Sequence, residues 1–240
     1  KNEYRNELQN AGIDFEEGQH TEKKILNAAE VMKSPGIPEK AGIVKKIRAK
    51  GIDIISEVEL AYRFNGDSKI IAITGSNGKT TTTALTYHIC KTAGLDCALV
   101  GNIGDSFAER IVEDPKQLYV VEVSSFQLDD IKNFRPDIAI LTNITEDHLD
   151  RYDYKFENYI NSKFRIAMNQ QQDDYFIYCA DDEVTMKYLN LPKAFGISIQ
   201  SNQLPISMKR ELPNGAFIKD GDMYIRTGQD FTNMSVFDFA

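Results

Sequence analysis

The chain has 240 residues, a net charge of −8, 42% hydrophobic and 27% charged residues, the make-up of an ordinary globular protein with room for one large domain or two modest ones. No apolar run approaches the roughly 20 residues that a membrane-spanning helix needs, and the acidic balance argues against a general affinity for nucleic acid, which is held by clustered Lys and Arg. Three cysteines, Cys90, Cys97 and Cys179, are too few and too scattered for a disulfide framework or a zinc site, which suits a cytoplasmic protein.

In chain order, the sequence opens on Lys1 with no basic-then-apolar leader, so no secretion signal is read. Short β-rich runs then alternate with helical patterns, the signature of an α/β fold with mostly parallel sheets and helices on both faces. Strands are predicted at 13–15, 31–33 and 53–55, with a helix over 38–50 between the last two. A helix over 57–64 leads to the turn Asn65-Gly66-Asp67, which divides a partial first domain (1–64) from a second (65–240). Residues 69–73 form a short apolar strand that runs into a glycine loop, and a helix follows over 79–93 with Gly94 as its stop. Strands are predicted at 97–100, 118–123, 138–141 and 175–178, with a helix over 156–169 between the last two. Runs at 216–219 and 223–226 flank Asp220-Gly221-Asp222, a hairpin signal. The first 64 residues hold too few elements for a complete doubly wound domain, and 236–240 reads as a strand stopped in mid-run. Flanking sequence is therefore expected at both ends.

The loop Gly75-Ser76-Asn77-Gly78-Lys79-Thr80 carries the strongest chemical signal. It follows an apolar strand and opens a helix, the setting in which backbone N–H groups bind phosphate. Lys79 would reach the terminal phosphates and the Thr80 hydroxyl would help to hold Mg²⁺. Only two residues separate Gly75 from Gly78, where the usual phosphate loop has four, so a plain glycine turn with Thr80–Thr83 as capping residues is the competing reading. Glu122 ends the run Val120-Val121-Glu122-Val123-Ser124-Ser125-Phe126-Gln127-Leu128 beside that loop, and Mg²⁺ prefers a carboxylate combined with phosphate oxygens and water. Thr142-Asn143-Ile144-Thr145-Glu146-Asp147-His148-Leu149-Asp150 follows another strand. Ligands of open α/β sheets sit at such strand ends, and His148 could be a ligand or a general base. His88 is expected to pack within its helix and His20 to lie on a surface turn, neither with a role. On the helix over 156–169, Phe156, Ile160, Phe164 and Ala167 form one apolar stripe, and Lys163 lies inside it. Such a lysine must snorkel, pair or be modified, whereas Arg165 points away. Ser34-Pro35-Gly36-Ile37-Pro38 could offer backbone N–H groups to a ligand or be a plain turn.

Taken together, Thr74-Gly75-Ser76-Asn77-Gly78-Lys79-Thr80-Thr81-Thr82, Gly101-Asn102-Ile103-Gly104, the segment around Glu122 and 143–152 resemble the Mur ligases, the ATP-dependent amino-acid-adding enzymes of bacterial peptidoglycan synthesis. Folylpolyglutamate synthases share a similar loop, while the absence of an Asn-Lys-x-Asp motif speaks against a GTPase. The segments at 101–104, 122–128 and 143–152 narrow the resemblance to the branch that joins D-glutamate to UDP-N-acetylmuramoyl-L-alanine. The resemblance implies a Rossmann-like uridine-nucleotide domain, here partial, a central ATPase domain and a C-terminal domain that this chain lacks. It also implies an acyl-phosphate intermediate and monomeric action. By the same resemblance Gly75, Ser76, Asn77, Gly78, Lys79, Thr80 and Thr81 bind ATP, and Lys79, Glu122, His148 and Lys163 are catalytic. Thr80, Glu122, His148 and a CO₂-carbamylated Lys163 would hold two Mg²⁺. Gly101, Asn102, Ser124 and His148 match contacts to the muramoyl-alanine end, and Ser34 and Gly36 match uridine-side contacts. The 240-residue chain by itself is expected to bind weakly and not to turn over.

Overall fold

The computed structural model describes residues 2–191, 196–227 and 230–235, so the strand expected at 236–240 lies outside the described residues. The first part of the chain runs α1 (Asn2–Asn10), α2 (Glu22–Ile25), β1 (Glu30–Met32), α3 (Gly42–Ala49), β2 (Asp53–Ile55) and α4 (Glu57–Arg63). β1 and β2 pair in parallel, Val31 opposite Ile54, and α3 is the crossover helix that parallel pairing requires. Its buried residues Val44 and Ile47 pack with Ile54, Val31, Ile25 and Leu26 into a small core. Residues 13–15 are not a strand. The Ile13 N–H closes the end of α1 on the Leu8 carbonyl at 2.9 Å, Ile13 is exposed, and among the described residues β1 and β2 have only each other as partners. α3 starts at Gly42 and not at residue 38, because 38–41 form a turn closed by the Ala41 N–H on the Pro38 carbonyl.

The second part begins with β3 (Lys69–Thr74), α5 (Lys79–Thr92), β4 (Cys97–Gly101), α6 (Phe107–Glu113), β5 (Leu118–Glu122), α7 (Ser125–Asp129) and β6 (Ile138–Leu141). It continues with α8 (Phe156–Phe164), β7 (Tyr175–Cys179), α9 (Glu183–Leu189), β8 (Asn202–Ser207), β9 (Gly215–Lys219), β10 (Asp222–Thr227) and β11 (Asp230–Ser235). These strands form one sheet in the order β11-β10-β9-β8-β7-β6-β3-β5-β4. Every pairing from β4 to β9 is parallel, and β10 and β11 add antiparallel strands at one edge. The β9–β10 hairpin turns at Asp220-Gly221, both with positive φ, as the sequence signal predicts.

Burial shows why the centre of the sheet is firm. Tyr119, Val120, Val121 and Glu122 on β5 are all buried, as are Ala72, Ile73 and Thr74 on β3, which requires cover on both faces. α4, α6 and α8 help to supply it through Val58 and Ala61, Phe107, and Tyr159, Ile160 and Phe164, all in one continuous cluster. Each of the larger of these side chains contributes about 1.5–3 kcal/mol by leaving water. The stripe read on α8 is real, although regular α-helix ends at Phe164 and a 3₁₀ turn carries Arg165–Ala167. Arg165 is not idle: its guanidinium donates to the Leu128 and Ile131 carbonyls, both at 2.7 Å, tying α8 to the end of α7. His88 lies on α5 but is exposed, so it does not pack within the helix. β3 sits between β5 and β6, the point where the chain order reverses and open α/β sheets bind their ligands.

Candidate active site at the ends of three parallel strands

β3 ends at Thr74 and the chain turns sharply into Gly75. Its φ is +151°, and a Cβ there would meet the Thr142 Oγ1 at 1.9 Å and the Asn143 nitrogen at 3.2 Å, so only glycine lets the loop pass the end of β6. The loop is then laced to the segment after β6. The Ser76 N–H donates to the Asn143 carbonyl, and the Ser76 hydroxyl donates to the Thr145 carbonyl at 2.9 Å. The Asn77 N–H donates to Asn143 Oδ1, while Thr142 Oγ1 and Asn143 Nδ2 donate to the Asn77 carbonyl. Tyr159 on α8 brings its hydroxyl within 3.1 Å of Ser76. The loop is thus preformed by its neighbours.

α5 opens from this loop with Gly78 at its N-cap and no side-chain cap. α4, α6, α7 and α9 are instead closed by Ser56, Ser106, Ser124 and Asp182. The first-turn N–H groups of a 14-residue helix are therefore left without a side-chain acceptor, and with the positive end of the helix dipole they form an anion site. Thr80 and Thr81 are exposed beside it. Lys79 folds back, its Nζ donating to the Gly75 and Ser76 carbonyls at 2.8 and 2.9 Å.

Lys163 reaches the same place from α8. It is 2% exposed, and its Nζ donates to the Gly75 carbonyl at 2.8 Å and to Thr74 Oγ1 at 3.2 Å. Burial, followed by the nearby Lys79 charge, brings its pKa down from 10.5 to about 7. The alternatives left open for this residue narrow: it does not snorkel, and no carboxylate binds its ammonium directly among the described residues.

Glu122 ends β5 with 1% exposure. One oxygen accepts from Asn102 Nδ2 at 2.8 Å, and the other, Oε2, is buried without any hydrogen-bond partner. A buried carboxylate oxygen left bare costs free energy, and a cation is the partner it fits. No cluster of three or more His, Cys, Asp or Glu side chains that could hold a metal occurs among the described residues, so an ion at Glu122 would draw its other ligands from hydroxyl, phosphate and water oxygens, as Mg²⁺ does. Gly101 lies against this acid: φ is +105°, and a Cβ would meet the Glu122 carbonyl oxygen at 2.4 Å. The Asn102 N–H donates to that same oxygen at 2.8 Å.

The remaining expected residues stand further out. Ser124 serves locally as half of a capping box with Gln127. His148 is exposed with φ +51°; its Nε2 lies 3.5 Å from an Asp147 carboxylate oxygen and its ring against Phe126. Ser34 and Gly36 are exposed on the loop after β1, joined to the His148 segment through Arg151, which donates to the Pro35 carbonyl at 3.0 Å. The sequence reading missed Asn143, Thr145, Tyr159 and Arg151 as individual residues, although Asn143, Thr145 and Arg151 fall within a segment it singled out.

A profile of the Mur ligase middle domain matches residues 73–217. The UDP-N-acetylmuramoylalanine--D-glutamate ligase of Cytophaga hutchinsonii is 50% identical over 225 residues, 93% of this chain and 49% of that protein. The protein of the same name from Bacteroides thetaiotaomicron is 53% identical over 189 residues, 79% of this chain and 42% of that protein. The chain thus spans about half the length of the curated relatives it matches. Among solved structures, a UDP-N-acetylmuramoyl-L-alanyl-D-glutamate--2,6-diaminopimelate ligase has a TM-score of 0.56 at 17% identity, covering 81% of this chain and 51% of that one. A MurF ligase from Thermotoga maritima in complex with ADP has a TM-score of 0.52 at 17% identity, covering 88% and 58%. At such identities the structural likeness speaks for the fold alone.

Proposed function

The chain belongs to the Mur ligase family, and on that premise we propose that it is the nucleotide-handling part of an ATP-dependent ligase that joins D-glutamate to UDP-N-acetylmuramoyl-L-alanine in peptidoglycan synthesis. Residues 1–64 would contribute to a nucleotide-sugar domain and 65–240 would form the ATP-binding domain of a cytoplasmic, monomeric enzyme. The observation that carries this reading is the convergence on Gly75. An uncapped helix end, two lysine ammoniums and a bare buried carboxylate oxygen gather at the ends of adjacent strands. The shared name of relatives about half identical to the chain supports the choice of substrate.

In the proposed reaction an oxygen of the alanyl carboxylate attacks the γ-phosphorus of ATP and ADP leaves. The D-glutamate amine then attacks the acyl carbon, phosphate leaves, and the amine gives up a proton. Such transfers depend on positioning and charge stabilisation more than on covalent help from the protein. The open N–H groups of α5 would hold the phosphates, and Lys79 would leave the loop carbonyls to meet them. Thr80 and Glu122 would hold one Mg²⁺, and His148 with a carbamylated Lys163 a second; when bound, these ions would neutralise charge on the phosphate and carboxylate oxygens. A lysine with a pKa of about 7 is partly a free amine near neutral pH, the form that adds to CO₂. Carbamylation of Lys163 would turn its positive charge negative and remove its repulsion with Lys79. Gly101, Asn102 and Ser124 would face the muramoyl-alanine end, and Ser34 and Gly36 the uridine end.

Phosphate release from ATP by the natural full-length protein tests this reading. With UDP-N-acetylmuramoyl-L-alanine and Mg²⁺ present, release is expected with D-glutamate and not with L-alanine, L-lysine or diaminopimelate. Release with another of these amino acids would move the protein to a different step, and no release with any would remove the ligase assignment.

A further inference from the structure

The loop 34–37 projects from the small β1–β2 unit, yet its backbone is held by cations on two sides. From within, Lys33 donates to the Ile37 carbonyl at 3.2 Å; its side chain is 5% exposed and pairs with Asp130, 1% exposed, at 3.0 Å. From the sheet side, Arg151 donates to the Pro35 carbonyl at 3.0 Å. The Arg151 guanidinium lies 4.2 Å from the centre of the Phe126 ring, and the same ring packs against His148 with centroids 5.2 Å apart. Loop, Arg151, Phe126 and His148 thus form one contiguous chain of contacts. A planar guanidinium can stack face-on over a ring while its edge N–H groups still donate.

We propose that Arg151 is a positioning residue that sets the loop 34–37 against the His148 segment and so fixes the affinity for the nucleotide end of the substrate. The proposal rests on the nucleotide-sugar reading of Ser34 and Gly36 given above. Arg151 need not touch substrate to act. Without it, Pro35 loses a charge-assisted donor, the loop gains freedom, and binding must restore the order first. The ATP loop has its own ties to Asn143, Thr145 and Tyr159 and does not share this support.

Arg151→Met in the natural full-length protein, which keeps an apolar stem over Phe126, provides the test through two readouts. Amide hydrogen exchange without ligands is expected to quicken at Ser34, Gly36 and Ile37 and to stay unchanged at 75–80. In steady-state kinetics, KM for UDP-N-acetylmuramoyl-L-alanine is expected to rise about tenfold, the effect of losing one charge-assisted hydrogen bond, with KM for ATP unchanged. Unchanged exchange at Ser34, Gly36 and Ile37 would overturn the proposal, and so would an equal rise in both KM values, which marks a general structural defect. If the wild-type protein shows no turnover at all, the ligase reading fails and the proposal loses its substrate with it, while the exchange result still reports whether Arg151 holds the loop.

Discussion

Residues 2–55 and the large sheet are held by different forces. Around the sheet, Phe107, Tyr119, Phe134 and Phe176 belong to one uninterrupted apolar cluster, and the proposed ATP loop leaves the end of β3, an interior strand. The small unit has only a minor core of its own, and charges tie it to the rest of the molecule. Asp130 takes Lys33 at 3.0 Å and Arg48 at 2.6 Å, and its carbonyl accepts the Ser56 N–H. Arg63 grips Glu30 through two bonds of 2.7 and 2.9 Å. Hydrophobic cohesion is non-directional and fails gradually, whereas a buried ion pair fails when either partner is removed. The half of the proposed site that would hold the nucleotide-sugar is therefore attached by a few separable contacts, and the half that would hold ATP is not.

The largest effect should come from the apolar side. Phe134→Ala is expected to cost about 3–5 kcal/mol and to lower the urea midpoint of the whole sheet. Asp130→Ala leaves the buried Lys33 with the half-exposed Glu39 at 3.4 Å and the Ile37 carbonyl, takes a partner from Arg48, and should cost about 2–3 kcal/mol. Its mark should be selective: proteolysis and amide exchange rise within 2–55 while β3, β5 and β6 stay protected. Uniform loss across the sheet would erase the distinction between the two regions. A pH series sharpens it from within the sheet. Lys163 has a pKa of about 7 when folded against 10.5 ordinarily, so between those values the unfolded chain binds a proton that the native one does not. Stability of metal-free protein in CO₂-free buffer should therefore rise from pH 7 to 9, by about 1–2 kcal/mol, and Lys163→Met should flatten that rise in urea titrations. Ser106→Ala should have the smallest effect, about 1 kcal/mol. It removes the α6 cap, whose hydroxyl also donates to Glu57 of α4, and a small drop in Tm would register it.

Legibility in the sequence follows the same division. β3, α5 and β6 were readable because apolar runs end in turn chemistry, and the glycine loop could be placed on them to the residue. β8 was not, since Asn202, Gln203, Pro205 and Ser207 carry little strand preference and the segment becomes a strand only because β7 offers it a ladder. α6 and α7, capped by Ser106 and Ser124, were not read from the sequence, because 5–7 residues are too few for a helical period to stand out. Residues 13–15 show the reverse error, an alternating apolar pattern without a neighbouring strand. At the site, Lys163 was legible as a charge on an apolar stripe, while its meeting with Lys79 over one carbonyl depends on how α8 crosses β3, which no spacing reveals. Arg151 was hidden for a similar reason: its partner Pro35 is more than a hundred residues away in sequence.

The strand order has a consequence for how the chain is made. β3 is the earliest strand of the large sheet, yet both neighbours arrive much later, with Lys69 opposite Leu118 and Ile71 opposite Ile138. During synthesis the apolar residues Ile70, Ile71 and Ile73 must remain unpaired until β5 and then β6 emerge. Non-local parallel pairing of this kind is slow and leaves sticky intermediates. The glycine loop at the end of β3 can take up its shape only after Asn143 and Thr145 have been made, so the nascent chain lacks the proposed ATP site until β3, β4, β5 and β6 have all been synthesised.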